Sequence, residues 1–274
     1  MTHRVIGRPI VAAALVAALG CTAPAGPAQT DAQTSLPRTP EGRPDLTGIW
    51  QVVNTAAWDI QDHIAQKGVP AGQGVVEGNE IPYQAWALAR KQENFKNRLT
   101  ADLVEARGFL PGVPRIMYLP LPFQIVQTPK YVTMVYEYGH AVRVIYTDGT
   151  KHPEGHIDFW LGDSRGRWEG DTLVSDVIHF NGESWFDKAG NFHSEALHLV
   201  ERLTLIDADT IHYEITFEDP KAYTRAWKMA WPLVREKEPG FQFLEEACWE
   251  GERDVPRFLK SGYRFYFGEP WQGR

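Results

Sequence analysis

Cysteine is nearly absent: Cys21 and Cys248 are the only two in 274 residues. A disulfide-stapled scaffold is therefore excluded, and the chain has to hold by its core. Cys248 has no neighbouring group that would activate a thiolate and is expected to be a small buried hydrophobe. Long apolar runs are missing too. The run at residues 10–19 falls short of the roughly 18 residues a membrane-spanning helix needs. Basic side chains are outnumbered, 28 against 35 acidic ones, for a formal charge of −7. A surface of that sign repels phosphate backbones, so no nucleic-acid partner is expected. There is no phosphate loop, no dinucleotide fingerprint, no His-Glu-x-x-His and no Cys-x-x-Cys, which argues against kinases, nicotinamide dehydrogenases and several metalloenzymes.

What is present describes an exported globular protein. Hydrophobic residues make up 43% and aromatic residues 12%, with ten Trp, ten Tyr and thirteen Phe. That is enough to build a sizeable core and still line a pocket. Residues 1–20 carry Arg4 and Arg8, no acid, and then the short apolar run, which is the layout of a secretory signal peptide. Its end, Ala18-Leu19-Gly20-Cys21, resembles the bacterial lipobox, in which the Cys becomes lipidated. The competing expectation is a plain cleavage site nearby, for instance after Ala23. With the leader removed, 26 basic residues face 35 acidic ones, a charge of −9. Residues 21–44, rich in Pro, Ala, Thr and Gln, read as a flexible tether. The expected location is the periplasmic side of a bacterial membrane, held only through the lipid on Cys21.

Residues 45–274 read as one domain. Asp45-Leu46-Thr47-Gly48-Ile49-Trp50 opens a short strand, and residues 54–122 are irregular apart from a helix expected over 83–99. From Phe123 the apolar period is two. Residues 131–138 and 141–146 form a hairpin, as do 167–169 with 172–180 and 196–206 with 210–218; strands are also expected over 223–233 and 241–249. About nine strands joined in sequence order predict an antiparallel meander that closes into a barrel to hide its edges. The absence of a 20–50-residue repeat argues against a propeller.

Two short features resemble lipocalins: Gly48-Ile49-Trp50 on the first strand and Tyr146-Thr147-Asp148 after a hairpin strand. The fold expected from pattern and resemblance together is all-β, a lipocalin-like antiparallel meander barrel with an irregular, partly helical insertion. The stretch 45–250 also resembles a widespread group of uncharacterised bacterial secreted proteins and lipoproteins. The shared runs are Asp45 to Trp50, Leu110-Pro111-Gly112-Val113-Pro114-Arg115, Gly162-Asp163-Ser164-Arg165-Gly166-Arg167-Trp168-Glu169-Gly170-Asp171-Thr172-Leu173 and His193-Ser194-Glu195-Ala196-Leu197-His198. This resemblance implies no reaction.

The groups able to carry chemistry are histidines and acids. If residues 193–197 turn before the next strand, His193, Glu195 and His198 converge at a barrel mouth. Such a set suits a metal, a His general base oriented by a carboxylate, or plain structural hydrogen bonding. His179 ends the preceding strand, and the loop 181–195 between them carries Asn181 and Trp185 over one barrel end. His140 reads as a hairpin-turn residue, and His152 and His156 as exposed loop residues. Arg165 and Arg167 are expected at a hairpin tip. Arg202 and Glu214, on facing strands, are expected to pair inside the barrel. Trp227 alternates with other aromatics along one strand and is expected to line a cavity or fill the core. Two functions follow: a barrel that binds a small apolar or aromatic molecule, or a hydrolase, lyase or isomerase using His/Glu acid–base chemistry or a bound metal. No cofactor can be named from the sequence.

Overall fold

The computed structural model describes residues 36–244. The expected signal peptide, Cys21, most of the expected tether, Cys248 and most of the strand expected over 241–249 therefore lie outside the described residues. Nine strands close into a barrel in sequence order: β1 (Gly48–Gln51), β2 (Phe123–Gln127), β3 (Tyr131–Tyr136), β4 (Val142–Tyr146), β5 (Asp163–Glu169), β6 (Thr172–Ile178), β7 (His198–Asp207), β8 (Thr210–Glu218) and β9 (Trp227–Arg235), with β1 pairing β9. The all-β barrel is as expected. β2, at the Phe123 start of the two-residue period, is a strand the sequence does not single out.

The meander is broken once. β4 and β5 pair in parallel, Ile145 opposite Ser164 and Tyr146 opposite Arg165, while every other pair is antiparallel. A parallel pair needs a crossover, and the stretch 147–162 provides it. Gly149, Pro153, Gly155 and Gly162 keep that stretch from forming a strand of its own. Arg165 and Arg167 accordingly lie inside β5, and the hairpin tip falls at Gly170-Asp171.

Alternation sets what fills the lumen. Along β7 to β9 the buried positions are Leu199, Glu201, Leu203 and Leu205, then Ile211, Tyr213, Ile215 and Phe217, then Trp227, Met229, Trp231 and Leu233. Trp50 closes the set on β1: it is fully buried, its Nε1 donates to the Leu46 carbonyl at 2.8 Å, and the Arg235 guanidinium lies 4.3 Å from its ring centroid. Gly48 permits this approach, because a Cβ there would stand 1.9 Å from Arg235 Nη1. The front segment plugs the lumen. Tyr118 meets Trp231 edge-on at 5.3 Å, and the Met117 sulfur lies 3.0 Å from the Tyr136 hydroxyl.

One ion pair sits among these apolar groups. The Glu201 carboxylate accepts from both terminal nitrogens of Arg143 and from the Tyr213 hydroxyl, and Arg143 also donates to Ser164 Oγ at 2.9 and 3.1 Å. The two side chains are 2% and 0% exposed. Arg202 and Glu214 are cross-strand partners as expected, but they face outward, to Glu169 and Lys228. A shift of one position exchanges the two faces of a strand, so the inward acid of β7 is Glu201. Ser164 stands in Gly162-Asp163-Ser164-Arg165-Gly166, the spacing of a nucleophile elbow, yet it lies within a strand and not on the strand-to-helix turn that chemistry requires. In the same lumen Ser175 Oγ and Trp231 Nε1 have no protein partner.

The insertion carries α1 (Ala85–Ala101), close to the expected helix, and α2 (Leu103–Arg107). The α1 segment lacks Gly and Pro and buries Ala87 and Asn94. Asp102 caps α2 through Val104 N–H and is gripped by the buried Arg115, at 3.0 and 2.9 Å. The Pro-Gly-Val-Pro-Arg run is thereby anchored at its Arg.

Removing one partner of a buried ion pair strands the other charge, at a cost on the order of 3 kcal/mol or more. Glu201→Gln should lose about that much in urea unfolding, and the double variant Arg143→Met/Glu201→Leu should recover most of it. A single variant within about 1 kcal/mol of the parent would contradict the lumen as described.

Candidate functional site

The loop between β6 and β7 lies over one end of the barrel, and buried carboxylates hold it there. Asp187 is fully buried; its Oδ2 accepts from Ile60 N at 2.9 Å and Asn191 Nδ2 at 2.6 Å, and its Oδ1 accepts from Asn191 N at 3.0 Å. The same Asn191 amide reaches Asp59 at 3.3 Å, and Asn191 Oδ1 accepts from the Tyr83 hydroxyl at 3.0 Å. Burial, reinforced by the neighbouring Asp59 carboxyl, pushes the Asp187 carboxyl up to about 7. Farther along, Asp219 accepts from the backbone and hydroxyl of Ser194, at 2.7 and 2.8 Å. Gly182 takes a left-handed φ of +72° where the two legs of the loop converge; a Cβ would lie 2.7 Å from Glu195 N.

His193 is locked by this frame. It stacks on Phe186 at 5.3 Å, meets Phe180 edge-on at 5.5 Å and is 1% exposed. Its Nδ1 stands 2.8 Å from the Ser194 carbonyl, which can only accept, so Nδ1 carries the proton. Nε2 then accepts from the Ser184 hydroxyl at 3.0 Å. Burial lowers the affinity of the ring for a second proton, so His193 stays neutral.

Beside it runs a cleft of about 740 Å³ between the loop and the outer face of α1. Trp86, Arg90 and Glu93 contribute from the helix, at the spacing that puts them on one face, and Glu183, Trp185 and Phe192 from the loop, with His193 among them. Trp86 is half exposed; it touches Phe192 edge-on at 6.0 Å and donates from Nε1 to the Lys221 carbonyl at 3.1 Å.

Trp185 and His193 thus share one cleft. The other expected residues disperse. Glu195 turns outward and pairs with Lys221, so it does not converge with His193 or His198. Asn181 caps the start of the loop, accepting from Glu183 N at 3.0 Å. Trp227 stacks on Phe217 at 4.0 Å within the core. His156 is exposed as expected, but His152 is not a free surface residue. Its Nδ1 lies 2.6 Å from Asp163 and its Nε2 2.8 Å from Asp176. His198 reaches the other oxygen of Asp176 at 2.8 Å and Glu218 at 3.2 Å. The Asp176 bond raises His198 above its ordinary pKa, and the His198 bond in turn holds Asp176 below its own. His179, in a left-handed conformation with φ of 66°, is 6.3 Å from the His152 ring.

Sequence reasoning missed Ser184, Asp187, Asn191 and the outer face of α1. Only the small polar residues crowded into 181–194 hinted at a fixed loop. Among the described residues no group of three or more His, Cys, Asp or Glu side chains could hold a metal ion, and no helix is long and apolar enough to cross a membrane. Comparison with known proteins found no matching family model, curated protein or solved structure.

The Asp187 carboxyl binds its proton more tightly in the folded chain than in the unfolded one. Its contribution to stability is complete below the ordinary carboxylate pKa and is lost as pH rises through about 7. Urea unfolding of the parent compared with Asp187→Asn should show a difference that shrinks the parent's margin by on the order of 1 kcal/mol or more between pH 5 and 8. Parallel profiles would show that Asp187 is ionised throughout.

Proposed function

We propose that the protein binds a small apolar or aromatic molecule in the cleft between α1 and the 181–195 loop, at the periplasmic side of a membrane to which Cys21 tethers it. The observation that carries this is the pairing of a lumen packed with side chains with an open, tryptophan-lined cleft outside it. A volume of about 740 Å³ falls within the range of small-molecule sites. The half-exposed Trp86 supplies a ring face, Phe192 and Trp185 supply apolar wall, and Arg90, Glu93 and Glu183 supply polar edges that orient a ligand. The buried Asp187 and Asp219 keep the loop preformed, so little ordering is needed on binding.

A second function is favoured by one contact. The neutral His193 accepts a hydrogen bond from Ser184, the relation of a general base to a hydroxyl. Ser184 is only 2% exposed, which places binding ahead of catalysis.

Native mass spectrometry of the protein purified from its own host should find a companion of a few hundred daltons, lost in Trp86→Ala. Calorimetry with p-cresol, indole and cyclohexanol should give affinities that fall about tenfold in the same variant, the loss of one stacked ring. Affinities indifferent to Trp86 would overturn this site. Turnover of an ester or lactone panel that Ser184→Ala abolishes without weakening binding would establish the catalytic function.

A further inference from the structure

Nearly all of the polar lining of the cleft is already committed to protein partners. Trp86 Nε1 donates to the Lys221 carbonyl at 3.1 Å, and Asn94 Nδ2 donates to the Gly190 carbonyl at 3.2 Å. Ser194 gives its backbone N–H and its hydroxyl to Asp219, at 2.7 and 2.8 Å. His193 is bonded through one nitrogen to Ser184 and through the other to the Ser194 carbonyl. Lys221, whose carbonyl takes the Trp86 bond, has its ammonium on Glu195. The guanidinium on the lining, Arg90, faces Glu93 at 3.6 Å one turn along α1. Glu183 differs from all of these. It is exposed at the edge of the loop, its backbone N–H is taken by Asn181, and its carboxylate meets no protein donor among the described residues.

We propose, resting on the binding function of this cleft, that its ligand is a cation: an organic ammonium attached to an apolar or aromatic group, selected by Trp86 and Glu183. What the lining offers an incoming molecule is acceptor capacity, and an ammonium group has donors and nothing else. The half-exposed Trp86 ring lies on the same cleft. Tryptophan is the aromatic whose face attracts a cation most strongly. A carboxylate beside an open indole face therefore recognises positive charge twice, by Coulomb attraction and by the ring quadrupole. The wider field agrees in sign. Glu93 and Glu183 outnumber Arg90 on the lining, and the whole chain has 35 acidic residues against 28 basic ones, so cations are drawn in and anions repelled. An anionic ligand would have to part Arg90 from Glu93 and then sit near Glu183. A neutral ring would use Trp86 and leave the Glu183 carboxylate idle.

The test is calorimetry on the full-length protein with three ligands that share a ring and differ in charge: 2-phenylethylammonium, 2-phenylethanol and 3-phenylpropionate. The expected order is ammonium, then alcohol, then carboxylate, with the ammonium bound about tenfold more tightly than the alcohol. Raising sodium chloride to about 0.5 M should narrow that gap by weakening the ammonium. Glu183→Gln removes a charge and no protein hydrogen bond, so the variant should fold, and its ammonium affinity should fall to that of the alcohol. Glu169→Gln, at the other end of β6, removes the same charge and should preserve the preference. Trp86→Ala should weaken the ammonium and the alcohol together. Alcohol binding that equals or exceeds ammonium binding, or a preference that survives Glu183→Gln, would overturn the cationic ligand and leave the cleft as a binding site for neutral molecules. Failure of all three ligands to bind, or affinities indifferent to Trp86→Ala, would overturn the cleft itself and the cationic ligand with it.

Discussion

Glu201 brings a full negative charge into the middle of a closed barrel, and much of the interior is arranged around it. A lone carboxylate in so apolar a place would be prohibitively expensive. Arg143, three strands away, supplies the countercharge, while Ser164 and Tyr213 complete the hydrogen bonds. The group ties β4, β5, β7 and β8 together across the lumen, including the parallel pair where the meander changes direction. Together with Trp50, Tyr118 and Trp231 it fills the space a binding barrel would keep open. The proposed binding site is accordingly the cleft at the barrel end.

At that end the design is repeated on a smaller scale. Asp187 and Asp219 are taken out of water and spend their hydrogen-bonding capacity on backbone and amide N–H groups of the loop or its neighbours. Each bond is modest, but an unsatisfied buried carboxylate is costly, so the loop conformation is strongly over-determined. The same bonds hold His193 and Trp185 in position at the wall of the cleft. Asp187 carries a cost of its own, because its carboxyl is the group that opposes folding as pH rises through neutrality.

The strands were legible because a barrel of this kind writes its period into the sequence: hairpins at 131–146, 167–178 and 198–218 follow from β-branched runs and the turns between them. Parity was harder. Arg202 and Glu214 were correctly matched across two strands and placed on the wrong face, since charge alone does not say which of Glu201 and Arg202 points inward. The inward choice depends on Arg143, which is distant in sequence. The parallel β4–β5 pair was hidden for a similar reason: residues 147–162 show that no tight turn follows β4, and nothing local says which way the chain returns. His152 looked like a surface residue beside Pro153, and its partners lie on β5 and β6. The helix over 83–99 was visible, but its outward face was not read as a wall because the loop opposite it is made by long-range contacts. The convergence expected of His193, Glu195 and His198 does not form: Glu195 pairs with Lys221, and His198 turns to Asp176 and Glu218.

The central claim is that the lumen is closed and the cleft is the place a ligand goes. Indole N–H resonances of the tryptophans, assigned by Trp→Phe substitution and followed during titration with p-cresol, test it directly. Trp86 and Trp185 line the cleft, whereas Trp231 lies in the lumen with its Nε1 unpartnered, the first group a lumen ligand would engage. Saturable shifts at Trp86 and Trp185 with Trp231 unmoved are the predicted result. Shifts that begin at Trp231 and spare Trp86 would contradict the account and return the binding site to the inside of the barrel.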